Sequence, residues 1–185
     1  NTDSVNAQSA QSSSLIVYFS HTGNTETVAE IIHAQTGGDL VELIPSNAYP
    51  TDYDACVDVA RKELDQQARP RLTTTIEKMD TYDTVYIGYP IWWSTIPMPV
   101  ASFLESYDFS GKTVVPVCTH AGSGLANSVT DIQKLVSDAT VTEGLAVTGR
   151  EASSAANGVS TWLQNTQTQA ASPIKSAAAM PITIT

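Results

Sequence analysis

LIVYFSHTGNT, residues 15–25, is the stretch from which the fold of this chain is read. Residues 15–19 form a short apolar run with no alternation, the pattern of a strand covered on both faces. Residues 20–25, SHTGNT, follow as a turn of Ser, Thr, Gly and Asn, and a helical segment opens at Asn24 and runs to Gln35. Strand, polar turn and helix together make an anion-site layout. The first helical turn carries unpaired N–H groups and the positive end of the macrodipole, so a phosphate there meets several donors. Ser20, Thr22 and Thr25 add hydroxyls, and Gly23 permits a left-handed turn and close backbone approach. The loop holds no lysine or arginine, so a phosphate would be held by neutral donors. The same residues also fit an ordinary strand–helix turn with a Thr or Asn cap.

Outward from this stretch, the pattern repeats. Residues 40–44 (LVELI) are the second strand, after a Gly37-Gly38 helix stop. Residues 45–50 form a loop. A second helix starts at Thr51 with a capping box to Asp54 and carries Tyr53, Val57, Ala60 and Leu64 on one stripe, ending before Pro70. Arg69 and Arg71 read as a solvated loop. Residues 84–88 (TVYIG) are the third strand, with YPIWWST (89–95) as the loop beyond it. A helix with Pro97 and Pro99 in its first turn follows. Residues 113–118 (TVVPVC) are the fourth strand. Pro116 inside it removes a ladder donor and requires a bulge or an unpaired position. THAGSG (119–124) is the next loop, before a helix with Leu125, Val129, Ile132 and Val136 on one stripe. Residues 144–148 (GLAVT) are an uninterrupted fifth strand. Residues 153–165 form a last helix burying Ala155, Val159 and Trp162. The closing PITIT is a candidate edge strand.

Five strand–helix units with right-handed crossovers predict an α/β three-layer sandwich: an open parallel sheet with helices on both faces. The domain is expected over 15–165, between a polar tail at 1–14 and a second tail at 166–185. At 185 residues one domain with a substantial core suffices. Nine basic residues against nineteen acidic give a net charge of −10, which argues against a nucleic-acid surface and suits a basic protein partner. No apolar run approaches the ~20 residues of a membrane span. Cys56 and Cys118 form no CxxC pair and leave a single disulfide open. His21, His33 and His120 are scattered, without metal-ligand or catalytic-triad spacing, so neither a metal nor a catalytic side chain is expected. The chain opens on Asn1 rather than Met, so processing or truncation is expected. Its Ser/Gln/Asn-rich start suits a linker behind an export signal or lipid anchor, and equally a plain tail.

In an open α/β sheet, ligands bind beyond the carboxyl ends of the strands. Three unusual loops meet there: a phosphate cradle, an aromatic loop and a loop of small residues. A ligand with a phosphate and a flat ring would use all three. Trp92 and Trp93 cannot both be core, because adjacent side chains diverge. Gly122 and Gly124 allow backbone to approach the ring's other edge. GSGLAN (122–127) misses the third glycine of a dinucleotide fingerprint, and no GxxxxGK[ST] occurs.

VYFSHTGNTETVA (17–29), GYPIWW (88–93) and THAGSG (119–124) together resemble the flavodoxin family over about residues 15–165. The resemblance implies FMN, electron transfer and sheet order 2-1-3-4-5, of which flavodoxin is itself the type example, with the ligand at the switch between strands one and three. It implies Ser20, Thr22, Gly23, Asn24 and Thr25 around the phosphate, with the His21 backbone beside them. It implies Pro90, Ile91 and Trp92 along the ring, with Trp93 as second choice for stacking, and Thr119, His120, Ala121, Gly122 and Gly124 as the second ring loop. The unbroken fifth strand implies the short-chain form, and the family implies a cytoplasmic protein with redox-protein partners. No feature specifies an oligomeric state. Two departures stand out. The second ring loop has no aromatic residue, and neither ring loop carries an Asp or Glu. The expected function is a one-electron FMN carrier. The alternatives are an FMN-dependent NAD(P)H quinone or nitro reductase, favoured by an open ring face, and a non-catalytic FMN carrier or interaction module.

Overall fold

A computed structural model describes residues 13–171. The elements are β1 (Ser14–Tyr18), α1 (Asn24–Thr36), β2 (Asp39–Glu42), α2 (Tyr53–Asp65), β3 (Thr84–Pro90), α3 (Met98–Ser106), β4 (Thr113–His120), α4 (Ser128–Leu135), β5 (Thr140–Val141), β6 (Leu145–Thr148) and α5 (Ala156–Ala171). All pairings in the sheet are parallel, in the order β2-β1-β3-β4-β5, with β6 also on β4. This is the doubly wound α/β sandwich expected. The expected PITIT strand lies outside the described residues. No helix among the described residues is long and apolar enough to cross a membrane.

Strand periodicity divides the core in two. Leu15, Val17, Val85, Ile87, Tyr89, Val114 and Cys118 face one side, where they pack with Val100, Phe103, Leu104 and Ile132 of α3 and α4. Ile16, Tyr18, Tyr86, Val115 and Val117 face the other, against Val28, Ile32, Val159 and Leu163 of α1 and α5. Both faces are covered, which explains why the central strands read as continuous apolar runs.

The fifth strand departs from expectation: it is broken. β5 pairs Val141 with Val114, and β6 pairs Leu145 with Val117. Residues 142–144 therefore lie opposite only residues 115–116. That extra residue is a bulge, and it faces Pro116, whose missing N–H called for one. A Cβ on Gly144 would lie 3.1 Å from the Pro116 carbonyl oxygen, so the bulged chain packs close. The interruption is three residues long, with no inserted domain-like loop.

Other boundaries shift for local reasons. β3 and β4 run two residues further than read, so Tyr89 and Pro90 pair with Cys118 and Thr119 within the sheet. Asp52, not Thr51, caps α2, accepting the Ala55 N–H at 2.9 Å. Tyr53 consequently lies outside the buried stripe and is exposed, and Cys56 takes its place in the core. Arg69 is no free loop cation: it pairs with Glu105 at 2.9 Å and holds that carboxyl below its ordinary range. A 3₁₀ turn at Gly149–Ser154 precedes α5, leaving Ala155 between the two. Both cysteines are free and buried, and no disulfide joins them.

Candidate functional site

The phosphate-type loop is shaped by Gly23, which sits in the left-handed region at φ 97° and caps α1. Its N–H donates to Ser20 Oγ at 3.1 Å, closing the turn, and its carbonyl accepts from the Thr27 N–H and hydroxyl. The Thr or Asn side-chain cap that the alternative reading required is not formed. Among the described residues, the amides of Asn24, Thr25 and Glu26 find no acceptor. Thr22 is exposed at the loop tip, whereas Thr25 is buried. The Thr25 hydroxyl lies 2.8 Å from that of Thr119 at the end of β4. This buried pair ties the first loop to the third. Gly88 makes room for it: a Cβ there would sit 3.2 Å from both Thr25 Cγ2 and Tyr18 Cβ. Glu26, half-buried in the first turn of α1, lies near the Tyr18 phenol. Burial and the acids Glu42, Glu26 and Glu30 push that phenol up to about 12.

The aromatic loop is a tight hairpin. Trp92 and Thr95 exchange two backbone hydrogen bonds, N to O at 3.0 and 3.2 Å. The two residues between them, Trp93 and Ser94, both have positive φ, 52° and 65°. This is a type I′ turn without glycine or asparagine, and left-handed backbone at such residues is costly. Neighbours hold it. The Trp93 indole N–H donates to Val57 O at 3.0 Å, and Arg61 lies over its ring at 4.9 Å. Asn127 N–H donates to Ser94 O at 2.9 Å, and the Thr95 hydroxyl donates to Asp131.

The two tryptophans thus diverge as expected. Trp93 lies outward on α2, 44% exposed. Trp92 turns inward to an aromatic cluster, with ring centroids 5.2 Å from Phe19, 5.0 Å from Tyr49 and 5.9 Å from His21. His21 thereby joins the first loop to the second. Tyr49 was missed by sequence reasoning, because it lies in a loop with no periodicity. Its hydroxyl donates to Glu63 at 2.6 Å, and burial followed by that acid pushes its ionisation up. Ile91 N–H donates to Thr119 O at 2.9 Å, binding the aromatic loop to the third loop, while Pro90 is the last paired residue of β3.

In the third loop, Thr119 and His120 are strand residues, opposite Val147 and Thr148. His120 Nδ1 accepts two backbone N–H groups, from Gly122 at 2.9 Å and Gly124 at 3.1 Å. The ring must therefore carry its proton on Nε2. Gly122 and Gly124 have φ of 143° and 64°, and Ala121 is exposed. Below them Tyr89 donates to Ser128 Oγ at 2.9 Å. Burial pushes the Cys118 thiol up to about 12, so it is an inert core group.

All three expected loops meet at the carboxyl end of the sheet. Trp93 leads away from them, onto α2. Gly149 was not expected there. A Cβ on it would lie 2.7 Å from the Asn24 side-chain nitrogen, which brings the turn after β6 to the same rim.

A family model described as Flavodoxin matches residues 13–166. Among curated protein sequences, none matches the chain. A solved structure from Bacteroides eggerthii, described as a candidate flavoprotein, is 33% identical. It superposes with a TM-score of 0.72 over 83% of this chain and 96% of that one. A second, from Bacteroides uniformis and similarly described, is 30% identical, with a TM-score of 0.73 over 82% and 97%. A Lactobacillus acidophilus flavoprotein solved in complex with FMN is 21% identical, with a TM-score of 0.67 over 82% and 99%, and shares the fold. With the sheet order, the three rim loops and a family match spanning most of the sequence in agreement, the chain belongs to the flavodoxin family.

Proposed function

We propose that this protein binds FMN at the carboxyl rim of its sheet and acts as a one-electron carrier. The observation that carries this reading is the first turn of α1. Three amides without acceptors, those of Asn24, Thr25 and Glu26, follow directly on the loop that carries the Ser20 and Thr22 hydroxyls. That donor set fits a phosphate monoester, and the absence of a fixed cation within the loop is no obstacle. Ser20 Oγ already accepts the Gly23 N–H, so its own proton is available to a phosphate oxygen. Thr25 shares its hydroxyl with Thr119, so it serves best by fixing the loop. The Lactobacillus relative solved with FMN supports the choice of ligand.

Bound flavin supplies one- and two-electron chemistry, and the protein orients it and sets its potential. Trp92 is the wall on which a ring would lie. It is braced by Phe19 and Tyr49, whereas Trp93 is committed to Val57 and Arg61. Pro90 and Ile91 would line the approach, and of the third loop's backbone the Ala121 and Ser123 amides, which find no acceptor among the described residues, would face the opposite edge. The acidic balance of the chain suits a redox partner with a basic docking face.

A second reading, an FMN-dependent NAD(P)H quinone or nitro reductase, is favoured by one feature. The third loop has no aromatic cover, and His120 is folded into its own backbone. A solved NADH:FMN oxidoreductase in its apo form shares the fold at 15% identity and a TM-score of 0.54, over 85% of this chain and 87% of that one. Anaerobic photoreduction of the FMN-loaded protein separates the two. Reduction in two resolved one-electron stages, with no NADPH turnover, supports the carrier. A single two-electron stage with rapid NADPH consumption by quinone supports the enzyme.

A further inference from the structure

The SHTGNT loop contains no cation, yet the fold brings the residue before an arginine, Gly149, to its edge. β6 ends with Thr148 opposite His120, so the chain leaves the sheet beside the third loop. Gly149 then runs against Asn24, its Cβ position 2.7 Å from the side-chain nitrogen and 4.0 Å from His120 O. No larger residue fits without displacing Asn24. The next residue is Arg150, and it is exposed. Its neighbour Glu151 is turned back, accepting the Thr148 hydroxyl at 2.7 Å. Among the described residues the ion pairs are Arg61–Asp65, Arg69–Glu105 and Lys134–Asp131, so Arg150 has no carboxylate partner.

We infer that Arg150 selects for the phosphate of the ligand, strengthening the binding of a phosphate monoester over its unphosphorylated parent. The inference rests on the FMN reading above. A guanidinium is charged at every accessible pH and needs no fixed contact to attract a dianion across solvent. An exposed charge of this kind changes affinity for a phosphate dianion by about three- to tenfold at low ionic strength, and by less as salt screens it. Glu151 opposes the effect, which places the expected change at the lower end of that range. Riboflavin has the same ring and ribityl chain and no phosphate, so its binding should not sense Arg150.

The test compares dissociation constants for FMN and riboflavin, at low and high ionic strength, in wild type, Arg150→Lys, Arg150→Gln and Arg150→Glu. Arg150→Gln should weaken FMN about threefold or more at low salt, and Arg150→Glu should weaken it further. Arg150→Lys should retain most of the affinity, riboflavin should be unchanged throughout, and the FMN differences should shrink at high salt. Equal losses for FMN and riboflavin, or an unchanged FMN preference in Arg150→Gln, overturn the role of Arg150 alone. Wild-type protein that binds FMN no tighter than riboflavin overturns the phosphate anchor, and the inference with it.

Discussion

The aromatic loop and the glycine loop stand side by side at one rim of the sheet and are held in opposite ways. The hairpin at 92–95 is strained and heavily braced. Two left-handed residues are kept in place by a mutual backbone pair, an indole bond to Val57, a backbone bond from Asn127 and a hydroxyl bond to Asp131. The loop at 121–124 carries its positive φ on glycines and hangs mainly on one imidazole nitrogen. Such strain persists only where the surroundings over-determine it. In the FMN reading proposed above, the braced hairpin would be the rigid wall and the loop hung on one imidazole the more compliant edge.

Breaking the wall should have the largest effect. Trp92→Ala removes the centre of the Phe19–Tyr49 cluster and should cost about 2–3 kcal/mol of stability in urea unfolding. It should also lower FMN affinity more than tenfold. Trp93→Ala should leave FMN affinity nearly unchanged, because that ring faces α2. Beneath both loops, Tyr89→Phe deletes a buried hydroxyl bond to Ser128 and should cost about 1–2 kcal/mol by the same measurement.

Loosening the compliant edge is a smaller change. His120→Ala should cost under about 1 kcal/mol and speed hydrogen exchange at the Gly122 and Gly124 amides by about fivefold. His120→Asn should restore much of that protection, since an amide oxygen accepts the same turn amides. Smallest is relief of hairpin strain. Ser94→Gly should stabilise by about 0.5–1 kcal/mol, seen as a raised thermal midpoint. If Ser94→Gly destabilised the protein, the hairpin would not be the strained element described here.

Legibility in the sequence followed locality. Strands covered on both faces announce themselves as apolar runs, so the sheet could be read from LIVYF, TVYIG and TVVPVC. Pro116 even marked the bulge that splits the fifth strand, although the split itself was hidden by the shortness of both halves. SHTGNT was readable because a phosphate-type turn is a contiguous motif. Long-range contacts left no such trace. Tyr49 joins Trp92 from a loop 43 residues away. The Thr25–Thr119 hydroxyl pair spans 94 residues. His120 carries no sign in the sequence of its role, and only its folded geometry makes it the acceptor that shapes the third loop. The extra paired residues of β3 and β4 were missed because loop-like composition at a strand end does not prevent pairing there.

The most direct test is a ¹H–¹⁵N spectrum of the ligand-free protein titrated with FMN. One equivalent should shift and slow the amides of Gly23, Asn24 and Thr25, the Trp92 indole, and Gly122 and Gly124, while resonances of α5 and of the distal ends of the strands stay in place. No perturbation, or a response confined to the hollow lined by Leu145, Val147, Ala155 and Val159, would contradict FMN binding at this rim.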